Sequence, residues 1–379
     1  MISLRSIRCE TLASRHYGVG VHPNPAPRSD PPAPDVIADL NRDWFASILD
    51  APVASIDVEP LGASVGLLCD LVRVHLHYGA AATTVDQPDS VIVKFPTTDP
   101  AGHQIGSMLR AWDREVAFYL NVAPLSVGAK VPRCHFAGTS ADDAAPVVVL
   151  SDLRTDAVNA VDGATRAQAE AAVSALAGFH ARWWEADDRF EWMPGFDATG
   201  VGGLSQAWQA SIDHFLHRFS ALIPPPADQW IRSFAPRLGQ WSDRAGTEPL
   251  TVVHADYQLD NLLFSGDDVT IVDWQTALRG PGAMDLTSFI LTALPIDRRR
   301  DWEDDLISRY LDELAGHGVT VDRDWFCRSY DENILWWMGQ FGHNLAHLEP
   351  ADPATQRRLD SMIERTYTAA VDRDVGRLL

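Results

Sequence analysis

Three oxygen-bearing side chains in one stretch of this sequence have the types and spacing needed for chemistry on phosphate. Asp256 and Asn261 stand five positions apart, and Asp273 follows after a turn. One carboxylate could orient and deprotonate a hydroxyl group. The amide oxygen and the second carboxylate could hold Mg²⁺, a hard ion that prefers oxygen ligands and keeps coordination sites for phosphate. The set therefore predicts phosphoryl transfer to a hydroxyl group.

Short strands around these residues would position them. Residues 250–254 and 269–273 are apolar runs typical of buried strands, and residues 261–264 predict a third strand. A polar turn at 265–268 joins the last two strands as a hairpin. Such a loop and hairpin can bring the three side chains together.

The rest of the chain divides into a β-rich part and a helical part. We expect strands with one inserted helix up to about residue 150, a hinge near 148–153, and mostly helices beyond it. The predicted strands are 55–60, 70–78, 90–95, 131–137 and 146–150. The inserted helix carries Leu109, Trp112, Val116 and Tyr119 on one face. The later predicted helices are 204–220, 227–242, 284–293, 301–315, 325–348 and 354–377.

Six prolines between positions 23 and 34 predict a disordered leader over residues 1–34, because proline fixes φ and lacks an N–H. A helix is predicted to begin near Pro34 and to run past Ile48. The predicted domains are therefore this leader, an N-terminal lobe over 35–151 and a C-terminal helical lobe over 152–379.

Composition limits the classes of partner. The 379 residues include 52 acidic and 31 basic ones, a formal net charge of −21. Such a surface repels nucleic acid and anionic lipid, and it suits a cationic or neutral substrate, or an anionic one met by a local lysine or metal. A need for solubility explains the charge equally well. No apolar run approaches ~18 residues, so no membrane span is expected.

The four cysteines, Cys9, Cys69, Cys134 and Cys327, are widely spaced and form no CxxC pair. This spacing argues against a disulfide framework and a zinc site, and favours reduced thiols in a cytoplasmic protein. Nothing in the sequence implies an obligate protein partner.

The chemistry-bearing segments resemble a known superfamily. Residues 254–264 (HADYQLDNLLF) and 271–275 (IVDWQ) are similar to the catalytic and metal-binding motifs of the aminoglycoside phosphotransferase and choline kinase-like superfamily. Residues 115–119, 176–184 and 280–286 are similar to other parts of it. The resemblance spans about residues 55–348 and favours the ecdysteroid kinase-like branch. It implies an α+β, bilobal protein-kinase-like fold, with a small antiparallel β-rich N-lobe and a larger, mainly helical C-lobe.

This resemblance assigns roles to individual residues. Asp256 would be the catalytic base, and Asn261 and Asp273 would be Mg²⁺ ligands. Lys94 would contact the α- and β-phosphates of ATP, and Glu115 would pair with Lys94 and orient it. The remaining nucleotide contacts would come from Gly62, Ser64 and Gly66 in a loop over the phosphates, and from the backbone of Val149, Leu150 and Ser151, a hinge that reads adenine. Ala255 replaces the usual glycine of the motif, and Ser151 replaces an acidic residue common at the hinge.

Several of these residues also have ordinary structural interpretations. Lys94 ends an apolar strand, where an unpaired charge would be costly to bury, so a partner such as Glu115 or a phosphate is expected. We expect His254 and His180 to be buried structural histidines, and Asp285 to cap a helix, to anchor the catalytic loop, or both. We expect the tryptophans of the helical segments to pack in the core: Trp183, Trp184, Trp336 and Trp337.

The sequence as a whole predicts an ATP- and Mg²⁺-dependent kinase that phosphorylates a hydroxyl of a small molecule. The acceptor classes left open are an aminoglycoside-like compound, an amino alcohol, a sugar and a sterol-like compound. The alternatives are a catalytically silent nucleotide-binding protein of the same fold, or a metal-dependent phosphohydrolase with His254 and Asp256 as ligands.

Overall fold

The described residues of the computed structural model are 27–61, 68–79, 87–125, 129–141, 145–155, 158–185, 192–195, 198–266, 268–348, 350 and 352–379, without side-chain detail at 198–203. They form a small β-rich lobe and a larger helical lobe, which meet after residue 151. The α+β bilobal architecture predicted from the sequence is confirmed.

A five-stranded antiparallel sheet with the order β1-β2-β3-β5-β4 forms the small lobe. Apolar side chains alternate toward its buried face, where Val72 pairs with Val93 and Val74 pairs with Val91, all at most 1% exposed. This alternation explains why these segments are strands. The strand bounds are β1 Val53–Leu61, β2 Cys69–Tyr78, β3 Ser90–Pro96, β4 Cys134–Thr139 and β5 Pro146–Ser151.

Two helices stand where one was predicted after β3. Helix α2 spans Pro100–Leu109 and α3 spans Ala111–Asn121, while Arg110 between them has a left-handed φ of 51°. The indole of Trp112 packs against Gly106, where a Cβ would lie 2.4 Å from the ring. The chain turns to allow this contact, so Leu109 is 38% exposed rather than on the buried face.

The N-terminal helix also begins later than predicted. A short 3-10 turn at Ile37–Asp39 comes first, and α1 spans Arg42–Leu49 with the Asn41 side chain as its N-cap. The asparagine accepts a hydrogen bond from the Trp44 N–H, so the helix starts at a capping residue rather than at the proline.

Part of the predicted leader is ordered against the sheet. The backbone of Arg28 donates to the His135 carbonyl at 3.2 Å and accepts from Ala137 at 2.9 Å, and Ala33 donates to Thr139 at 3.0 Å. This parallel pairing covers the outer edge of β4, which would otherwise present unpaired backbone groups. Residues 1–26 lie outside the described residues.

The large lobe places eight helices of the described chain around two small hairpin-like sheets. Strand β6 pairs with β9, and β7 pairs with β8. The predicted helix over 227–242 is divided by a 3-10 turn that contains Pro236, a residue that removes a helical N–H. The elements are α4 Arg166–Trp183, α5 Ala198–Arg218, α6 Ala227–Phe234, α7 Leu238–Ala245, β6 Thr251–Val253, β7 Leu262–Ser265, β8 Asp268–Ile271, β9 Leu278–Gly280, α8 Ala283–Ala293, α9 Ile296–Gly316, α10 Arg323–Asn344 and α11 Pro353–Asp372.

Aromatic side chains fill the core of the large lobe. Trp183, Trp336 and Trp337 are at most 5% exposed, as expected for packing residues, and Trp184 packs half-buried against the same core. The ring of Trp336 contacts those of Trp208 and Trp241. Within the described residues, every helix is too short or too polar to span a lipid bilayer.

The contact between Trp208 and α10 gives a stability prediction. A Cβ at Gly339 would lie 2.0 Å from the Trp208 ring, so Gly339→Ala should lower the free energy of unfolding by about 1–3 kcal/mol through overpacking. The matched control is Gly239→Ala in α7, where a Cβ meets nothing within 4 Å and the better helix former should stabilise by up to about 1 kcal/mol. Denaturant unfolding measures both variants, and equal effects would contradict the packing argument.

Candidate active site

The loop after β6 is anchored by one buried carboxylate. Asp285, at the start of α8, accepts hydrogen bonds from the backbone N–H of His254 at 2.6 Å and of Ala255 at 2.8 Å. The Nε2 of His180 lies 3.2 Å from the same carboxylate, and the Tyr310 hydroxyl donates to the Nδ1 of His180 at 2.7 Å. Asp285, His254, His180 and Tyr310 are fully buried, so the loop is fixed to the core of the lobe. Of the two roles expected for Asp285, this is the anchoring one.

His254 has a structural role on both ring nitrogens. Its Nε2 donates to the Val272 carbonyl at 2.8 Å, and its Nδ1 accepts the backbone N–H of Asp256 at 3.2 Å. The imidazole thereby ties the loop to the end of the β7–β8 hairpin. The side chain is fully buried, as predicted for a structural histidine.

Asp256 and Asn261 contact each other directly. The Asn261 amide nitrogen donates to the Asp256 carbonyl at 2.8 Å and to its Oδ2 at 2.9 Å, and Gln258 donates to Oδ1. Burial and the nearby Asp273 carboxylate raise the pKa of Asp256 against the opposing effect of its hydrogen bonds. A carboxylate with a raised pKa is a stronger proton acceptor, which suits a general base.

Lys94 connects the two lobes through a pair of carboxylates. Its Nζ lies within 2.8 Å of both Glu115 carboxylate oxygens, and 2.7 Å from Asp273 Oδ1. Burial alone would lower the pKa of Lys94, but the two carboxylates outweigh it and raise that pKa well above its ordinary value. The ammonium therefore stays charged. The chain has one other lysine, Lys130, which is half-exposed and pairs with Asp268.

The Asp273 carboxylate is held on its other side as well. The Gln275 amide donates to Asp273 Oδ2 at 3.2 Å, and the Cys69 thiol of β2 lies 3.4 Å from Gln275 Oε1. Burial raises the pKa of Cys69 to about 12, so the group remains a thiol and can donate this bond. Asp273 itself has a left-handed φ of 67°, which short polar residues tolerate better than most.

The three residues predicted to form the adenine-reading hinge lie within strand β5. Val149 and Leu150 lie inside β5, whose backbone is paired with β3 on one side and β4 on the other. Ser151 donates its backbone N–H to the Arg133 carbonyl at 2.9 Å. Nucleotide contacts at Val149, Leu150 and Ser151 stay a prediction, and the segment without strand pairing begins at Asp152. Gly62, Ser64 and Gly66 lie outside the described residues.

A family model decides what the chain is related to. The model of the phosphotransferase enzyme family, APH, matches residues 82–325, which include both halves of the site described above. The chain belongs to the APH phosphotransferase family. This membership agrees with the small-molecule kinase that the sequence predicts.

One curated relative and two solved structures accompany this family membership. An N-acetylmuramate/N-acetylglucosamine kinase of Neisseria meningitidis serogroup B is 31% identical over 140 residues, which is 36% of this chain and only 32% of the relative. A protein of Ralstonia eutropha JMP134 assigned to the aminoglycoside phosphotransferases has a TM-score of 0.52 at 12% identity, over 87% of this chain and 97% of that one. A choline kinase of Cryptosporidium parvum has a TM-score of 0.50 at 11% identity, over 85% and 90%. The two structures show the fold of the APH and choline kinase enzymes.

Two residues of this APH site were missed by sequence reasoning. Gln258 and Gln275 each follow an acidic residue by two positions and donate an amide hydrogen to its carboxylate. The repeated spacing of aspartate and glutamine, at 256 and 258 and again at 273 and 275, is the signal that could have identified them. Both amides restrict the orientation of a carboxylate that chemistry would need.

The unusual alanine of the APH motif gives a second stability prediction. Ala255 has a φ of 60°, a left-handed conformation that costs a residue with a Cβ about 1–2 kcal/mol. Ala255→Gly should raise the free energy of unfolding by about 0.5–1 kcal/mol, after allowing for the extra freedom of glycine in the unfolded chain. The same change at Ala175, inside helix α4, should instead destabilise by about 1 kcal/mol. A loss of stability in both variants, measured by thermal unfolding, would argue against strain at Ala255.

Proposed function

We propose that this protein transfers the γ-phosphoryl group of ATP, with Mg²⁺, to a hydroxyl of a small molecule. The observation that carries the proposal is the contact of one buried lysine with carboxylates from both lobes, at 2.7 Å from Asp273 and within 2.8 Å of Glu115. Such a group can meet phosphate oxygens at the point where a metal-binding carboxylate also lies. Family membership supports the reaction class.

Asp256 would act as the base. Its carboxylate would accept the proton of the acceptor hydroxyl as that oxygen attacks the γ-phosphorus, while the bond from this phosphorus to the bridging oxygen breaks and ADP leaves. Asn261 and Gln258 would hold the carboxylate in place. The alternative of a metal-dependent phosphohydrolase would use His254 as a ligand, but both of its ring nitrogens are engaged by backbone groups. The complete set of Lys94, Asp256, Asn261 and Asp273 argues against a catalytically silent protein.

The residues present fit Mg²⁺. Asn261 turns its amide nitrogen toward Asp256, which leaves its carbonyl oxygen to serve as a ligand, and Asp273 supplies a carboxylate. Oxygen donors of these two kinds are what Mg²⁺ prefers, together with phosphate oxygens. The ion would neutralise charge on the phosphates, and Lys94 would turn from Asp273 toward them.

The acceptor is proposed to be a polyhydroxylated compound, with sugars as the first class to test. The partial relative is a kinase of amino sugars, although the match covers a third of its length. A cationic aminoglycoside or amino alcohol is compatible with the net charge of −21, and the sterol-like acceptor of the ecdysteroid kinase-like branch stays a prediction of the sequence. Location in the cytoplasm also stays a prediction. A thermal-shift screen with MgATP and such compounds tests the class, since a ligand at 100 times its Kd adds about 2.7 kcal/mol.

The proposed base can be tested directly. Asp256→Asn should lower kcat by ~10²–10⁴-fold with the acceptor identified in the screen, because the hydroxyl loses its proton acceptor. Binding of ADP should be retained. The matched control is Asp260→Asn, which removes an acidic group four positions away that pairs with Arg358 on the surface. Turnover of the Asp256 variant at the level of the control would refute this role.

Asp273, the proposed metal-binding carboxylate, can be tested by the Mg²⁺ dependence of ADP binding. Asp273→Asn should weaken the binding of ADP in Mg²⁺ by at least about tenfold, because the site loses one charged ligand, while binding in EDTA should change little. Asp268→Asn, in the adjacent hairpin, removes a surface carboxylate that pairs with Lys130 and serves as the control. Calorimetry measures both. An equal loss with and without Mg²⁺ would assign Asp273 a structural role instead.

A further inference from the structure

A buried carboxylate ties the start of the connection between the lobes to the small-lobe sheet. The side chain of Asp152 is 3% exposed and accepts hydrogen bonds from Arg73 Nε at 2.8 Å, Arg73 Nη2 at 3.4 Å and Ser90 Oγ at 2.6 Å. Arg73 lies on β2 and Ser90 begins β3, so one residue just past β5 is held by two other strands. Paired hydrogen bonds from an arginine guanidinium to a carboxylate are stronger and more directional than most hydrogen bonds in proteins.

Neighbouring charges complete this arrangement, which we call the Asp152 cluster (Arg73, Ser90, Asp152 and Arg154). Arg73 also reaches Glu59 on β1 at 3.3 Å, while Arg154 lies 3.7 Å from Asp152 and donates to Ser90 at 3.3 Å. Burial alone would raise the pKa of Asp152, but the bonds from Arg73 and Ser90 outweigh it and lower that pKa. The carboxylate therefore stays ionised at neutral pH.

The position of the Asp152 cluster suggests a role in binding a nucleotide base. Residues 152–155 belong to no helix or strand, so backbone pairing does not fix them. The backbone of Val149 and Leu150 is already used within the sheet. The resemblance implies a base read by backbone groups at this end of the sheet, and such a base would meet the segment that follows Ser151. Asp152 holds the start of that segment.

We propose that Asp152 is a positioning residue for the nucleotide base, which it serves by fixing residues 152–155 against the sheet through Arg73 and Ser90. The inference rests on the proposed function, because it requires a nucleotide in the cleft. Asp152 acts here through the backbone it holds and not by contact with phosphate. Its loss should therefore affect the base and leave the phosphate contacts of Lys94 in place.

Two ligands distinguish an effect on binding of the base from an effect on binding of the phosphates. ADP carries a base and inorganic tripolyphosphate does not, and each can be measured with Mg²⁺ by calorimetry on the full chain. Asp152→Asn should weaken ADP binding by about tenfold, because the side-on charged bonds to Arg73 are lost, and should leave tripolyphosphate binding within about twofold. The KM for ATP should rise in parallel while kcat stays within about twofold. Amide exchange at 153–155 should become faster in the same variant.

Matched variants exclude a general loss of structure. Arg73→Lys keeps the charge but not the side-on geometry, so it should show a smaller effect in the same direction. Asp57→Asn breaks an exposed pair with His77 on the same sheet, 2.7 Å long, and should change neither ligand. If Asp152→Asn weakens both ligands equally, or if it lowers the melting temperature without a change in ADP affinity, the proposal is overturned. A wild-type chain that binds neither ligand overturns the proposed function itself.

Discussion

A single buried ammonium group aligns the two halves of this molecule. Lys94 comes from the small-lobe sheet, Glu115 from the helix beside it, and Asp273 from the large lobe. Because the site is buried and has a low dielectric constant, leaving the ammonium or either carboxylate without a partner would cost free energy. A shift of one lobe relative to the other by an ångström or two would break these contacts. These ion pairs therefore fix the cleft together with apolar packing, since Phe118 of α3 stacks on Trp274 of the large lobe with ring centroids 4.0 Å apart.

The large lobe presents its half of the site on a rigid polar framework. Asp285 holds two consecutive backbone N–H groups of the loop after β6, and His180 and Tyr310 hold Asp285 in turn. The Asp285 carboxylate and both ring nitrogens of His180 thus have partners inside the core, where an incomplete network would be most costly. Such support explains how the loop keeps Ala255 in a left-handed conformation that alanine disfavours. Asp256 is placed by that conformation.

Periodicity and motif spacing predicted most of the architecture. The strands β1 to β3 and β5, the β7–β8 hairpin, the contact of Lys94 with Glu115 and the burial of His254 all follow from local pattern or from the resemblance. Tertiary contacts decided the rest. The helix break at Arg110 depends on a tryptophan that packs on a glycine, and the pairing of residue 28 with β4 depends on an open sheet edge. The catalytic and metal-binding roles of the site residues stay predictions.

The near absence of lysine gives this protein an unusual chemical handle. Lys94 and Lys130 carry its only side-chain amines, because all other basic residues are arginines. Lys130 is half-exposed, whereas Lys94 is 7% exposed and bound by two carboxylates. Acylating reagents should therefore discriminate sharply between them, and the tryptic peptide that contains residue 94 would become labelled only when the cleft opens. Mass spectrometry of a single acylated site would then report on interlobe motion, with no engineered label.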